Sequence, residues 1–376
     1  MLSLYIHIPY CVRKCLYCGF YSTPYSPRKA DDFIAALKIE AEQSRENIIN
    51  GCMGSIYIGG GTPTVLSREQ LGQVIAAMRR YFRFDDDAEF TVEANPNTLS
   101  SGYLSFLLEQ GVNRLSLGIQ SFSDKALSVL GRLHNSREAA DVFRRARISG
   151  FKNIGIDLIF GIPGQNATEW HKTIDAAIAL RPEHISAYNL SLDEGSQFMR
   201  LAQTGEIVLP EDEIVAEMYE HAVQSLSRAG YCRYEISNFA LSGFACRHNL
   251  NYWERGEYLG LGPGASSFLA GKRHDNIADC DEYARRLCNG LPARQSEEIV
   301  RAVLAATETL MLGLRTVQGV DLLRFRREYG TDLLNHLREG IGSLDAAGLI
   351  LMTDKRLRLT DRGFLLSDEV LKRLST

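Results

Sequence analysis

Apolar positions in the first half of the chain alternate between two periods. Short β-rich runs at Leu2 to Ile8, Gly54 to Ile58, Glu89 to Glu93, Arg114 to Leu117, Asn153 to Ile159 and His184 to Leu190 predict six strands. Between them, apolar 3,4-spacing predicts helices over Ala30 to Ile48, Glu69 to Tyr81, Ser101 to Gln110, Arg137 to Ser149 and Glu169 to Leu180. Strand and helix in strict alternation imply right-handed βαβ units and a parallel sheet. Six repeats over about 190 residues suit a barrel, complete or incomplete, as well as an open doubly wound sheet. Either would carry its function at the C-terminal strand ends.

Beyond the amphipathic stretch Glu211 to Arg228, Gly, Asn and aromatic residues concentrate between Tyr231 and Gly271, which reads as a loop-rich layer. From Arg301 the pattern is three helices, Arg301 to Leu312, Asp321 to Tyr329 and Leu333 to Ala347. Short strands follow at Ile350 to Thr353 and Leu357 to Leu359 around a turn at Asp354 and Lys355. That order predicts a small winged-helix-like α+β domain. The expected division is a βα core over 1–230, a loop-rich extension over 231–300 and the small domain over 301–376. The last stretch holds 12 basic and 10 acidic side chains with the signs interspersed, which favours a structural or partner-docking role over DNA binding.

Composition narrows the class further. Of 376 residues 45% are hydrophobic and 23% charged, enough apolar content for a large core, and a net charge of -4 argues against a nucleic-acid partner. No run approaches the roughly 18 apolar residues of a membrane span, and Leu2 to Pro9 lacks the basic leader of a signal peptide. A cytoplasmic location is therefore expected, where eight cysteines stay reduced and a tight group of them reads as metal-binding or catalytic.

Such a group stands directly after the first strand: Cys11, Cys15 and Cys18 form CxxxCxxC. Thiolates select zinc or an iron–sulfur cluster. Structural zinc and protein-held clusters usually take four protein ligands, so three leave a position open for a substrate. A Cys3His zinc site completed by His7, or three buried thiols, is the alternative on these residues alone. The second strand ends in Gly59-Gly60-Gly61-Thr62-Pro63, where glycines allow a ligand close to the backbone.

Together these motifs resemble the radical S-adenosylmethionine (SAM) superfamily. The resemblance implies an incomplete (β/α)6 TIM-like barrel, a 4Fe-4S cluster on the three cysteines, and SAM on the cluster's open iron. It narrows to the branch that includes oxygen-independent coproporphyrinogen III oxidase. There Tyr5, Tyr17, Gly60, Gly61, Thr62, Glu93, Gln120, Arg132 and Asp157 match positions around SAM. The oxidase's cluster loop has a further cysteine two residues after the third, where this chain has Phe20. Downstream, Cys246-Arg-His248-Asn-Leu-Asn-Tyr252-Trp253 contains HNxxYW, a signature resembling the haem chaperones related to the oxidase, the HemW type. That similarity implies haem bound by His248, Tyr252 and Trp253, handed to acceptor haem proteins such as respiratory cytochromes, with an electron donor for the cluster and a peripheral membrane position during delivery. An imidazole can ligate haem iron and aromatic rings can cover a porphyrin face, whereas a loop-ordering histidine with core aromatics is the plain alternative. His134 reads as a solvated helix-start residue, and Cys246 as a candidate second soft ligand. At this point both a haem chaperone and a porphyrinogen-decarboxylating enzyme fit the residues.

Overall fold

The computed structural model describes residues 1–48, 51–330 and 338–375. Six parallel strands lie side by side in chain order: β1 (Leu2–Ile8), β2 (Cys52–Gly60), β3 (Arg83–Ala94), β4 (Arg114–Gln120), β5 (Ile154–Phe160) and β6 (His184–Asn189). The crossover helices include Pro27–Ser44, Arg68–Tyr81, Ser101–Glu109, Ser136–Ser149 and Ala167–Leu180. Three of them begin with reciprocal capping boxes, Ser67 with Gln70, Asn135 with Glu138 and Asn166 with Glu169, which satisfy the first-turn amide groups and fix where each helix starts. β1 and β6 do not pair with each other, so the barrel is incomplete, as expected.

Both edges are instead extended by the segment after residue 230. Tyr258–Leu261 pairs parallel with β1, and Ser266–Leu269, Lys272–Asn276 and Arg294–Ile299 continue outward antiparallel. On the other edge Asn238–Ala240 pairs antiparallel with β6, followed by Cys232–Arg233. The segment read as a loop-rich layer thus also carries short strands that widen the sheet. Its glycines mark turns between short strands, with Gly262 at φ 101° and Gly271 at φ 73°.

Each core strand alternates. Leu4, Ile6, Ile58, Val92, Leu115, Leu117, Ile156, Leu158 and Ile185 face the helices and are fully buried. The opposite parity is polar and points into the bore: Ser3, Tyr5 and His7 on β1; Ser55 and Tyr57 on β2; Glu89, Thr91 and Glu93 on β3. It continues with Arg114 and Ser116 on β4, Asp157 on β5, and His184 and Ser186 on β6. A half-polar strand ordinarily turns that face to water; here it lines an enclosed interior.

The C-terminal unit consists of helices Ala302–Gly313, Leu322–Tyr329 and Arg338–Ala346 and a sheet of Val320–Asp321, Arg356–Leu359 and Ile350–Met352, an order that fits the winged-helix-like expectation. The first residues of the helix predicted from Leu333 lie outside the described residues. Helices Asp361–Leu365 and Ser367–Ser375 complete the unit. Glu308 joins it to the sheet through Arg255 (2.9 Å) and Arg273 (2.7 Å). Among the described residues no helix is long and apolar enough to cross a membrane.

Candidate functional site

The C-terminal strand ends open onto a cavity of about 640 Å³. Cys11, Cys15, Tyr17, Cys18, Gly60, Gly61, Thr62, Glu93, Gln120, Arg132 and Asp157 all line it, so eleven of the residues singled out from the sequence share one site. The three cysteines are free and partly exposed. Burial raises the Cys11 and Cys18 thiols above their ordinary pKa, so they stay neutral until a metal takes the proton's place.

The donor set suits a cluster, since three free thiols from one loop line one cavity. In a 4Fe-4S cluster each thiolate binds its own iron, so the sulfurs must stand apart around a shared cube. His7 is no zinc ligand, because Nδ1 meets the Tyr5 hydroxyl (3.0 Å) and Nε2 the Tyr21 carbonyl (3.1 Å).

Polar contacts tie the cysteine loop to the cavity wall. Arg132 donates to Cys15 Sγ (3.3 Å), to the Gly118 carbonyl (2.6 Å) and to Asn95 Oδ1. Asn95 donates to Thr62 Oγ1 (2.8 Å), which lies 3.5 Å from Cys11 Sγ. A side chain at Gly118 would come within 3.2 Å of Asn95 Oδ1, so this glycine lets Arg132 and Asn95 meet. Gln120, with φ 69°, holds a left-handed conformation uncommon outside glycine, placed where the register between β4 and β5 slips. Arg132 follows the short helix Asp124–Val129.

Two carboxylates sit deeper. Glu93 accepts from the Tyr57 hydroxyl (2.7 Å) and from the Gly60 amide (3.2 Å). Burial, and after it the charge of Asp157, push its pKa up to about 7. Asp157 accepts from Ser186 (2.7 Å) and Ser116 (3.0 Å), and burial raises its pKa as well. Asp157 stands mid-strand, not at a strand end or as a helix cap. Tyr57, Asn95, Ser116, Tyr188 and Asp193 also line the cavity and were not singled out. For Tyr57, Ser116 and Tyr188 the signal was parity, since they share the inward face of their strands with residues that were, whereas Asn95 and Asp193 lie in loops.

Tyr5 lies outside the cavity wall. Its ring stands 6.3 Å from Tyr57 and 6.5 Å from His248, one layer below the site. His248 does not line the cavity either. His248 is 1% exposed, Nδ1 meets Ser55 Oγ (2.9 Å), Nε2 meets the Tyr252 hydroxyl (3.0 Å), and its ring lies 5.0 Å from Tyr57. Both ring nitrogens are engaged. Burial, and then the Arg114 charge, lower its pKa to about 3, so the ring is neutral. The helix Arg247–Trp253 is held at its start by Glu89, which accepts from the amides of Arg247 and His248 (both 3.0 Å) and from the Cys246 thiol (3.3 Å). Cys246 is fully buried beside Glu89. Tyr252 packs edge-on against Tyr258, and Arg315 lies 5.8 Å from the Trp253 ring. The HNxxYW segment thus closes the floor of the bore, at the end opposite the cysteines. His134 is likewise buried, with Nε2 3.0 Å from the Ile119 carbonyl, rather than solvated.

A floor role predicts that His248→Ala loses about 2–4 kcal/mol of unfolding free energy, since it removes packed volume and takes away the Tyr252 hydroxyl's partner, while Ser55 keeps its bond to Ser3. Urea denaturation monitored by far-ultraviolet circular dichroism measures this. A loss within about 0.5 kcal/mol, the range of an ordinary surface substitution, would remove the floor assignment.

Comparison with known proteins agrees with the geometry. Residues 5–177 match the model of the radical SAM superfamily, and residues 305–366 match the HemN C-terminal domain. The chain is 38% identical over 98% of its length, and 98% of the relative's, to a protein of Bacillus subtilis named Heme chaperone HemW. It is 32% identical to "Radical S-adenosyl methionine domain-containing protein 1, mitochondrial" of Bos taurus, over 98% of this chain and 86% of the relative. Coproporphyrinogen III oxidase (HemN) of Escherichia coli superimposes with a TM-score of 0.88 at 23% identity, over 100% of this chain and 90% of that one, a likeness of fold. With identity to the chaperone running the full length and the superfamily match spanning the cysteine loop and the polar bore, the chain belongs to the HemW family of the radical SAM superfamily.

Proposed function

We propose that this protein is a haem chaperone. It takes haem as cargo and passes it to acceptor haem proteins such as respiratory cytochromes, on a scaffold holding a 4Fe-4S cluster and SAM. The observation that carries the reading is the full-length identity to proteins named as haem chaperones. Cys11, Cys15 and Cys18 would hold the cluster. Gly60, Gly61, Thr62, Glu93, Gln120, Arg132 and Asp157, with Tyr17 beside the cysteines, would surround SAM. When bound, the cluster supplies one electron beside the sulfonium. The chain's own residues orient and exclude water: Arg132 fixes the loop that carries Cys15, Glu93 presents a carboxylate to N–H donors, and Asp157 is held by two serines at the depth of the site.

The oxidase fold supports a second reading, oxidative decarboxylation of coproporphyrinogen III. One experiment separates the two. Anaerobically reconstituted protein is mixed with haem and apocytochrome, and separately with coproporphyrinogen III, SAM, a reductant for the cluster and an electron acceptor. A Soret shift with haem appearing on the acceptor, without protoporphyrinogen IX in the second vessel, is expected. Conversion to protoporphyrinogen IX without haem binding would establish the oxidase reading instead.

The Glu93 carboxyl gives a pH dependence. A carboxyl raised to about 7 in the empty site is largely protonated below that pH, which removes its charge and turns one oxygen into a donor. A ligand that needs the ionised form lowers this pKa on binding, so by linkage its affinity rises with pH. SAM affinity is expected to fall several-fold from pH 8 to pH 6, with less dependence in Glu93→Gln. Equilibrium dialysis on cluster-loaded protein measures it, and equal slopes in wild type and variant would remove Glu93 from the binding set.

A further inference from the structure

The cysteine loop rests on a second, smaller apolar core, separate from the main one. Its buried members include Leu130, Ile162, Leu190 and Phe198, and Leu16 and Tyr17 of the loop pack against it. Leu16 is bonded outward at both backbone groups: its amide donates to the Leu130 carbonyl (3.3 Å) and its carbonyl accepts from the Phe198 amide (2.9 Å). Inside the loop the Cys18 amide reaches the Cys15 carbonyl (3.3 Å), which closes a turn but leaves the placing of that turn to its outside partners. A side chain at Gly131 would strike Leu16, and one at Gly19 would strike Asp193, so neighbouring chain presses on the loop from two sides.

The segment from Leu190 to Leu209 needs the loop in return. Its helix, Gln197–Gln203, is seven residues long, too short to persist on its own hydrogen bonds, although Ser196 caps it by accepting from the Met199 amide (3.1 Å). Phe198 is 1% exposed, and with Leu190 it anchors the segment in the small core that Leu16 and Tyr17 help to close. At the start of the segment Leu190, Ser191 and Asp193 line the cavity. Stability in a fold is local, and a unit with a small core of its own opens without the main one. We infer that the cysteine loop and the segment from Leu190 to Leu209 order as one unit, and that Phe198 is a positioning residue for the iron–sulfur cluster. Phe198 does not line the cavity and acts through Leu16, the residue between Cys15 and Tyr17. The inference rests on the three cysteines holding the cluster. Linkage makes it reciprocal: a cluster that fixes the loop also fixes, through Leu16, the wall to which Ser191 and Asp193 belong.

Hydrogen exchange on the full-length protein tests the shared ordering. In cluster-free protein the amides of 12–19 and 190–209 should exchange about tenfold or more faster than in reconstituted protein, while those of β1 to β6 are unchanged. Anaerobic release of iron to a chelator tests the positioning role. Phe198→Ala should release iron about tenfold faster than wild type, by emptying the core that seats Leu16, and Phe198→Leu should restore most of the difference. Phe143→Ala empties a buried site of the main core and should release iron at the wild-type rate. Equal exchange of 190–209 in the two states overturns the shared ordering. Wild-type release from Phe198→Ala overturns the positioning role, and so does equally fast release from Phe143→Ala, which general destabilisation would explain. A wild type that takes up no iron and sulfide would overturn the cysteine assignment and the inference with it, whereas the other outcomes leave that assignment standing.

Discussion

Replacing Cys11, Cys15 or Cys18 singly by Ser brings iron and sulfide from about four each per chain to near zero, and removes the broad absorption near 400 nm, roughly the region expected of such a cluster. Each thiolate serves a different iron, so two cannot do the work of three. No other cysteine can substitute. Cys246 is buried on the floor of the bore against Glu89, and Cys280 lies buried 3.4 Å from the Tyr10 hydroxyl. Cys52 opens β2 at the end away from the site, and Cys232 and Cys288 are exposed on a short edge strand and at a helix terminus. The fold should survive, because the main apolar core is built from the helix-facing side of six strands and only Leu16 and Tyr17 of the loop pack against a smaller cluster. Iron and sulfide assays with thermal unfolding followed by circular dichroism measure both halves of the expectation. One zinc per chain in the wild type, with no visible absorption, would replace the cluster by a mononuclear site.

The sequence made the scaffold legible because the physics there is local. Each core strand carries a buried apolar run, each helix a 3,4-spaced stripe, and three helices carry a capping box that marks their start. The cysteine loop and the glycine run were legible for the same reason, as short motifs at the ends of those strands. What escaped notice depends on distant partners. Tyr258–Leu261 is four residues long and has meaning only as the parallel neighbour of β1. Tyr57 and Ser116 became site residues once the polar parity proved to face inward rather than toward solvent. For His248 the residue types suggested iron ligation, but they could not reveal that Ser55 and Tyr252 occupy both nitrogens. A histidine flanked by aromatics reads alike as a ligand and as a packed plug, and its place over β1 and β2 follows from register that the sequence alone does not carry.

Gly60→Ala should lower SAM affinity more than tenfold, and for a reason that the glycine run alone does not suggest. As a motif the run implies that a side chain would fill the ligand's space. The structure points the missing Cβ the other way, 2.6 Å from His7 Nδ1 and 2.7 Å from Cε1, with the backbone at φ 105°. His7 has nowhere to go, since it is pinned between the Tyr5 hydroxyl and the Tyr21 carbonyl just past the cysteines. A methyl group would therefore displace either the ring, disturbing the segment that follows the cysteine loop, or the Gly60 amide, which donates to Glu93. Backbone strain and overpacking together cost about 2–5 kcal/mol. A second substitution separates this mechanism from simple blockage. His7→Ala in the Gly60→Ala background removes the ring that the methyl strikes, so the double variant should recover part of the lost stability and affinity, leaving the cost of the positive φ. Calorimetric binding and urea denaturation on wild type, both single variants and the double variant give the coupling. If the double variant binds no better than Gly60→Ala, the methyl obstructs the ligand directly and the cavity wall at Gly60 is closer to SAM than the packing against His7 implies.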